Sequence, residues 1–404
     1  MFQLHDTRTG QAEPIRAAGD RTLRIYTCGP VLERRAHVGD LRSYLLGDLI
    51  RRHAEHRLRF TVLACQDVAD VGGSGGDGAQ QNERAFLADC SALNLRPAEG
   101  TPRASDGIGL TIDMISGLVE AGHAYPAGDG SVYFDARSFP GYGELSGNRL
   151  ADTPPGGGPA GDTGDTGDTG DTGDRKRFPA DWALWTGSGP GQEPAWPAPW
   201  GTGFPVRSAQ CSALSRHYLG DAIDLHAGGI DLCFPHHEHE RAESNSAAGR
   251  EAVRHWVHGE RLLFDGRAMA GSGENVVLLP DLADRGLDPL ALRLAFLEHP
   301  YRQPVNLTWD ALEAANRTLR RWRELVADWA NSPSKPMCAE VTSQITAAFD
   351  DDLDTPAALR ALRSLEDDQE IPPGSKFETF AYTDQLLGLD VAREIGRAPV
   401  RPAG

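Results

Sequence analysis

Four side chains of metal-binding type stand far apart in the chain. Cys28 lies in Tyr26-Thr-Cys-Gly-Pro30, Cys211 in Ser208-Ala-Gln-Cys-Ser-Ala-Leu214, and His236 and Glu240 in Phe234-Pro-His-His-Glu-His-Glu240. Zn²⁺ takes thiolate, imidazole and carboxylate ligands, about four in a tetrahedron. His236 and Glu240 are four residues apart and share one face of a helix, if a helix forms there. One zinc held by Cys28, Cys211, His236 and Glu240 is therefore one reading. Buried cysteines and a separate surface His/Glu cluster is the other, because His-x-x-x-Glu recurs by accident on helices. Spacing alone leaves both open.

The elements that must position these residues read as α/β. Leu23 to Cys28 is an apolar run that ends at the turn Gly29-Pro30, as a buried strand does. Leu45, Leu46, Leu49 and Ile50 recur at helical spacing between Leu41 and Glu55, and Arg57 to Ala64 reads as a second strand. Strand, loop, helix and strand in that order open a doubly wound unit, in which ligands bind beyond the strand carboxyl ends. Cys28 and His37 stand at such an end. Asp70 to Gln81 is Gly-rich and reads as loop, Glu83 to Leu93 and Gly107 to Glu120 as helices, and Ile223 to His226 as a strand that runs into Gly228 and Gly229.

The expected organisation is a Rossmann-like catalytic domain over 1–285 followed by a helical bundle over 286–404. A segment at about 137–200 is inserted in the first domain. Within it, 154–174 carries four Gly-Asp-Thr triplets and no large apolar side chain, so it reads as a disordered surface loop. Thr308 to Ala330, Ala339 to Phe349, Thr355 to Leu365 and Phe377 to Leu387 are helical in pattern. Ala392 to Gly404 reads as a loose tail.

Composition narrows the function classes. Six cysteines without close spacing argue against a disulfide-stapled secreted domain. Met1 to Asp6 shows no secretory signal, and no apolar run nears about 18 residues, so a cytoplasmic protein without a membrane segment is expected. A monomer is the default. The formal charge of −18 opposes broad binding to phosphate backbones. Arg317, Arg320, Arg321 and Arg323 read as a solvated helix face rather than a nucleic-acid patch.

In order along the chain, Tyr26-Thr-Cys-Gly-Pro30, His37-Val-Gly39, Lys176-Arg-Phe-Pro-Ala-Asp181, Trp196-Pro-Ala-Pro-Trp200, Cys211-Ser-Ala213, His226-Ala-Gly-Gly-Ile-Asp-Leu232, Phe234-Pro-His-His-Glu238, Asp351-Asp-Leu-Asp-Thr-Pro356 and Leu386-Leu-Gly-Leu-Asp390 follow one pattern. It resembles the class I aminoacyl-tRNA synthetases of the cysteine type. It also looks like their relative, the ligase that joins cysteine to glucosaminyl-inositol in mycothiol synthesis. The resemblance implies a Rossmann-like domain that activates cysteine with ATP as an adenylate. It also implies zinc on Cys28, Cys211, His236 and Glu240.

The family's His-x-Gly-His phosphate signature maps onto His37, Gly39 and Asp40, with aspartate replacing the second histidine. A carboxylate there calls for Mg²⁺ between it and a triphosphate. The mobile Lys-Met-Ser-Lys-Ser loop maps onto Ala268-Met-Ala-Gly-Ser272, so Met269 and Ser272 remain and both lysines are absent. Arg267 is the candidate replacement cation. Gly228, Gly229 and Asp231 match the adenosine-binding turn. Cys28, Gly29, Gln66 and Arg207 match the amino-acid pocket. Arg207 stands where the family has tryptophan, which favours a substrate with an extra carboxylate or phosphate.

Three functions compete on these residues. After Asp390 only a short tail remains where the cysteinyl enzymes continue with an anticodon-reading module. That favours an ATP-dependent ligase acting on a thiol amino acid and a small amine acceptor, such as glucosaminyl-inositol or a specialised metabolite. A cysteine–tRNA ligase is the second reading, with tRNA as partner. A zinc-containing pseudoenzyme is the third, prompted by the missing lysines and Asp40.

Overall fold

The computed structural model describes residues 1–17, 21–71, 77–150, 176–189, 194–269 and 275–397. The expected loop at 154–174, Ser272 and the end of the expected tail lie outside the described residues.

β1 (Gln3–Asp6) and β2 (Gln11–Pro14) form an antiparallel hairpin. β3 (Thr22–Thr27), α1 (Val38–His56) and β4 (Thr61–Gln66) make the first crossover unit. With β10 (Ile223–Gly229) and β11 (Val253–Gly259) they build a four-stranded parallel sheet in the order β11-β10-β3-β4. All seven residues of β10 are buried, as expected of a strand covered on both faces. Leu41, Leu45, Leu46, Leu49 and Ile50 turn one stripe of α1 into the core. This is the Rossmann-type α/β arrangement read from the sequence.

Between β4 and β10 lie α2 (Asp77–Ala92), α3 (Ile108–Glu120) and a five-stranded antiparallel sheet. Its strands are β5 (Ala124–Pro126), β6 (Val132–Phe134), β7 (Trp182–Gly187), β8 (Trp196–Ala198) and β9 (Gly201–Pro205). They pack a second core around Phe134, Trp182, Leu184 and Trp185. This layer draws on residues either side of 137–200. α4 (Arg207–Leu219) then leads into β10. A single turn, α5 (Ile230–Leu232), is followed by a π-helical turn over Cys233–His237 and by α6 (Glu238–Ala248).

Beyond β11 come β12 (Leu262–Phe264), β13 (Arg267–Ala268), α7 (Leu279–Asp284), α8 (Pro289–Leu297) and β14 (Val305–Leu307). β14 returns to pair with β12. The remaining helices are α9 (Trp309–Trp329), α10 (Ala339–Asp350), α11 (Thr355–Asp367) and α12 (Pro373–Leu387). Their apolar faces join the core of the parallel sheet in one continuous cluster that includes Leu49, Leu292, Leu319 and Leu386.

Three local expectations change. The second strand begins at Thr61, not Arg57, because α1 runs to His56 and Arg59 takes a left-handed turn at φ 57°. The loop expected through Gln81 gives way to α2 at Asp77, and Ala79 is buried. Arg323 is no solvated residue. It is buried, pairs with Asp288 at 2.6 Å and donates to the carbonyls of Leu389 and Asp390.

The helical layer is tied to α1 through Asp48. Its Oδ2 accepts from Arg52 Nε at 2.7 Å and Arg293 Nη2 at 2.6 Å, and its Oδ1 accepts from the Arg96 N–H. Arg293 also donates to the carbonyls of Leu387 and Leu93. Burial pushes the Asp48 carboxyl up, but the two guanidinium groups and the N–H outweigh it and hold it below the usual carboxylate range. Its contribution is complete above about pH 4 and is lost as pH falls through the depressed value. Asp48→Asn strands a buried guanidinium, so urea unfolding at pH 7 should show a loss of about 3–5 kcal/mol. The difference from the parent should shrink under acid.

Candidate functional site

The sheet brings three distant segments to one place. Cys28 follows β3 at its carboxyl end, Cys211 sits in the first turns of α4, His236 lies in the π-helical turn and Glu240 in the first turn of α6. The ligand atoms of these four residues lie within 4.8 Å of one another, and all four residues are buried. Cys28 Sγ is 3.1 Å from Glu240 Oε1 and 3.4 Å from His236 Nε2, which is itself 2.9 Å from Glu240 Oε1. Ligand atoms around a tetrahedral zinc stand about 3.3–3.8 Å apart, given bonds of about 2.0–2.3 Å. Two sulfurs, one nitrogen and one oxygen gathered this closely fit a zinc ion, with the 2.9 and 3.1 Å gaps opening by a few tenths of an ångström around it. The reading of separate buried cysteines and a surface His/Glu cluster fails, because His236 and Glu240 are as buried as the thiols.

A second ring of side chains escaped the sequence reading. His226 Nε2 and His237 Nε2 lie 3.4 and 3.6 Å from Cys28 Sγ. His237 Nδ1 meets His258 Nε2 at 2.8 Å, and His258 Nδ1 meets Thr7 Oγ1 at 2.7 Å. Burial lowers all three imidazoles, His226 to about 4 and His258 to about 3, so they are neutral at pH 7. Register places His226, since it pairs with Tyr26 across the β3–β10 ladder. The His-His doublet and the His before Ala-Gly-Gly were the available signals. Burial raises Glu240, but His226 and His236 outweigh it and leave the carboxylate ionised.

The residues expected to line the amino-acid pocket are held by close backbone contact. Gly29 N donates to Asp67 Oδ1 at 2.7 Å, and an added β-carbon at Gly29 would fall 1.4 Å from the Asp67 carbonyl oxygen, so no other residue fits. Tyr26 Oη also donates to Asp67 Oδ1, and Cys211 Sγ lies 3.8 Å from Asp67 Oδ2. Asp67, which follows β4 one position beyond the expected Gln66, thus joins these residues. Arg207, the first residue of α4, donates to the Gly29 carbonyl at 2.9 Å, and its charge acts on Asp67 and Asp231.

The phosphate end is built on α1. His37 is its N-cap, and its Nδ1 accepts from the Asp40 N–H at 3.1 Å. Asp40 closes the capping box by accepting from the His37 N–H at 2.8 Å. Both Asp40 oxygens also accept from Arg34, at 2.6 and 3.0 Å. Arg34 therefore supplies a positive charge to Asp40. Burial holds the His37 imidazole below its usual range. Met269 Cε reaches the same helix end, 3.0 Å from where a Gly39 β-carbon would stand. Gly228 and Gly229 end β10, and a β-carbon on Gly229 would fall 2.3 Å from Asp231 Oδ1. Arg267 is exposed on β13.

Residues 14–317 match the family described as the tRNA synthetases class I (C) catalytic domain. The chain belongs to the class I tRNA synthetases of the cysteine type. Members form aminoacyl adenylates with ATP, and this chain is an ATP-dependent ligase of that class. It is 38% identical over 378 residues to a cysteine–tRNA ligase of Opitutus terrae, which covers 90% of this chain and 81% of that one. It is 34% identical over 416 residues to a cysteine–tRNA ligase of Thermus thermophilus, 95% of this chain and 84% of the relative. Among solved structures, the Mycobacterium tuberculosis methionyl-tRNA synthetase bound by methionyl-adenylate shares the fold at a TM-score of 0.57 and 16% identity, over 91% of this chain and 90% of that one. A LeuRS of Agrobacterium radiobacter, in ternary complex with tRNA and LeuAMS, does so at 0.64 and 12%, over 93% and 84%. No helix among the described residues is long and apolar enough to cross a membrane.

Two outcomes test the site. Cys211→Ser should release one equivalent of zinc per chain relative to the parent, read by elemental analysis after dialysis. Arg34→Ala leaves Asp40 as an uncompensated carboxylate beside the α1 terminus. It should raise the KM for ATP in pyrophosphate exchange about tenfold, or about 1.4 kcal/mol, and Arg34→Lys should recover part of it.

Proposed function

We propose that the protein activates cysteine, or a closely related thiol amino acid, as an adenylate and transfers it to tRNA. The observation that carries this reading is the buried set Cys28, Cys211, His236 and Glu240, whose Cys28 lies on the connection between β3 and the amino end of α1. It joins a thiol-selective centre to an anion-binding helix terminus. The relatives named cysteine–tRNA ligase, matched over most of their length, favour tRNA over a small amine as acceptor.

Each residue has a role in this reading. Zinc, bound by the four ligands, would take the substrate thiol as thiolate, which a serine hydroxyl cannot match. Gly228, Gly229 and Asp231 would seat the adenosine. The positive end of the α1 dipole and the neutral His37 would hold the phosphates, with Mg²⁺ accompanying ATP. Met269 would stand against them, and Arg267 would stand in for a missing lysine. Arg207, above the Gly29 carbonyl, would select a thiol substrate that carries a further anionic group.

A second reading, transfer to a small amine, draws on the formal charge of −18, which opposes tRNA approach.

Amino-acid-dependent ATP–pyrophosphate exchange tests the reading. Exchange with cysteine or a carboxylated thiol, and none with serine, is the expected result, followed by charging of total tRNA. Exchange without charging moves the assignment to the small-amine acceptor. Arg267→Ala should cut exchange about 10²-fold, the usual effect of removing one charge-stabilising donor. No exchange with any thiol amino acid refutes the proposal.

A further inference from the structure

A second group of metal-ligating side chains lies outside this centre. Asp6 ends β1, Glu13 is in β2 and His255 is in β11, and ligand atoms of the three lie within 4.8 Å of one another. His255 Nδ1 stands 3.8 Å from Asp6 Oδ2 and 3.7 Å from Glu13 Oε2. These gaps are too long for hydrogen bonds. Nitrogen and oxygen ligands of a tetrahedral Zn²⁺, at bonds of about 2.0–2.2 Å, stand about 3.3–3.6 Å apart, so the two gaps are within a few tenths of an ångström of what a bound ion requires.

The group is built as a site. Asp6 is fully buried, and its Oδ2 has no hydrogen-bond partner; neither has the buried Nδ1 of His255. Each carboxylate is held by its other oxygen. Asp6 Oδ1 accepts from the Arg8 N–H at 2.8 Å, and Glu13 Oε1 accepts from Thr9 Oγ1 at 2.7 Å. One oxygen of each is thereby oriented, and the other faces the imidazole. Metal-binding carboxylates are oriented in this way by outer partners. A buried carboxylate oxygen without a donor is unfavourable unless a cation meets it. The Arg8 guanidinium acts on Asp6 through its charge but makes no hydrogen bond to Oδ2, which stays without a donor.

We propose that Asp6, Glu13 and His255 form a second divalent-metal site that takes Zn²⁺ through one imidazole nitrogen and two carboxylate oxygens. Two carboxylates and a neutral imidazole carry a charge that one dication cancels. Glu13 is partly exposed, which leaves room for a water ligand and a path for the ion. Such an ion clips the β1–β2 hairpin to β11. The next residue of that hairpin, Thr7, donates its N–H to the Trp256 carbonyl and meets His258 Nδ1. The clip therefore steadies the outer end of the histidine chain that leads to Cys28.

The test counts zinc in the full chain after loading with Zn²⁺ and dialysis. The parent should hold two equivalents, and both Cys211→Ser and the double variant Asp6→Asn/Glu13→Gln should hold one. Loading with Co²⁺ separates the two sites. The thiolate-to-cobalt absorption should survive in Asp6→Asn/Glu13→Gln and vanish in Cys211→Ser. Thr9→Ala keeps all three ligands, and it should weaken the second zinc about 10- to 100-fold. It serves if the double variant does not fold. A zinc count in Asp6→Asn/Glu13→Gln equal to the parent's, or unchanged affinity in Thr9→Ala where the double variant does not fold, overturns the proposal. If Cys211→Ser leaves the count unchanged while Asp6→Asn/Glu13→Gln lowers it, the first centre fails and this one stands.

Discussion

Taking two thiols, a carboxylate and several imidazoles out of water at the carboxyl ends of β3 and β10 is the constraint around which this molecule is arranged. In a low-dielectric interior each ionised form is unfavourable alone, and the imidazoles respond by staying neutral. Neutral imidazoles and a carboxylate already ionised are what a soft dication requires of its ligands. The surrounding contacts serve the same end. Asp67 binds the backbone N–H of Gly29 and the hydroxyl of Tyr26, which fixes the strand end that carries Cys28. Glu243 takes hydrogen bonds from Trp182, Ser208 and Ser212, and so joins α6 to α4 on the far side of the ligand set.

The amino end of α1 keeps its charge balance despite Asp40. A carboxylate in place of a histidine would repel a triphosphate if it stood alone. Asp40 does not stand alone, because both its oxygens are bound by Arg34 and one also closes the cap of α1. The pair is close to neutral as a unit, and the helix terminus keeps its anion-binding polarity. Arg207 changes the other end of the cleft. It brings a permanent cation beside Gly29, where its charge acts on the buried Asp67 and the exposed Asp231.

Helix α1 connects these regions to the rest of the molecule. Its first residue follows His37, and its middle carries Asp48, which binds Arg293 of α8. The helical layer is therefore no appendage on a flexible joint. Its packing bears on the helix whose amino end carries His37 and Asp40, and Arg323 repeats the pattern further out by gripping Asp288 and the carbonyls after α12.

Much of this was legible in the sequence. The buried run of β3, the leucine stripe of α1 and the long amphipathic α9 are local periodicities, and the backbone follows them directly. The four proposed zinc ligands stood out by type and by family resemblance, and the structure brings their atoms together. Other features had no local signal. Whether Arg323 meets water or Asp288 depends on a contact across 35 residues, and whether Asp40 stands alone depends on where Arg34 folds back. His226, His237 and Asp67 join the site through strand register and a close backbone approach, which are long-range properties. Local propensity acts over a turn or a strand, and that much the sequence by itself determined. Which charges are buried together, and which partner neutralises each, was decided only when the segments packed, because desolvation depends on everything that surrounds a group in space.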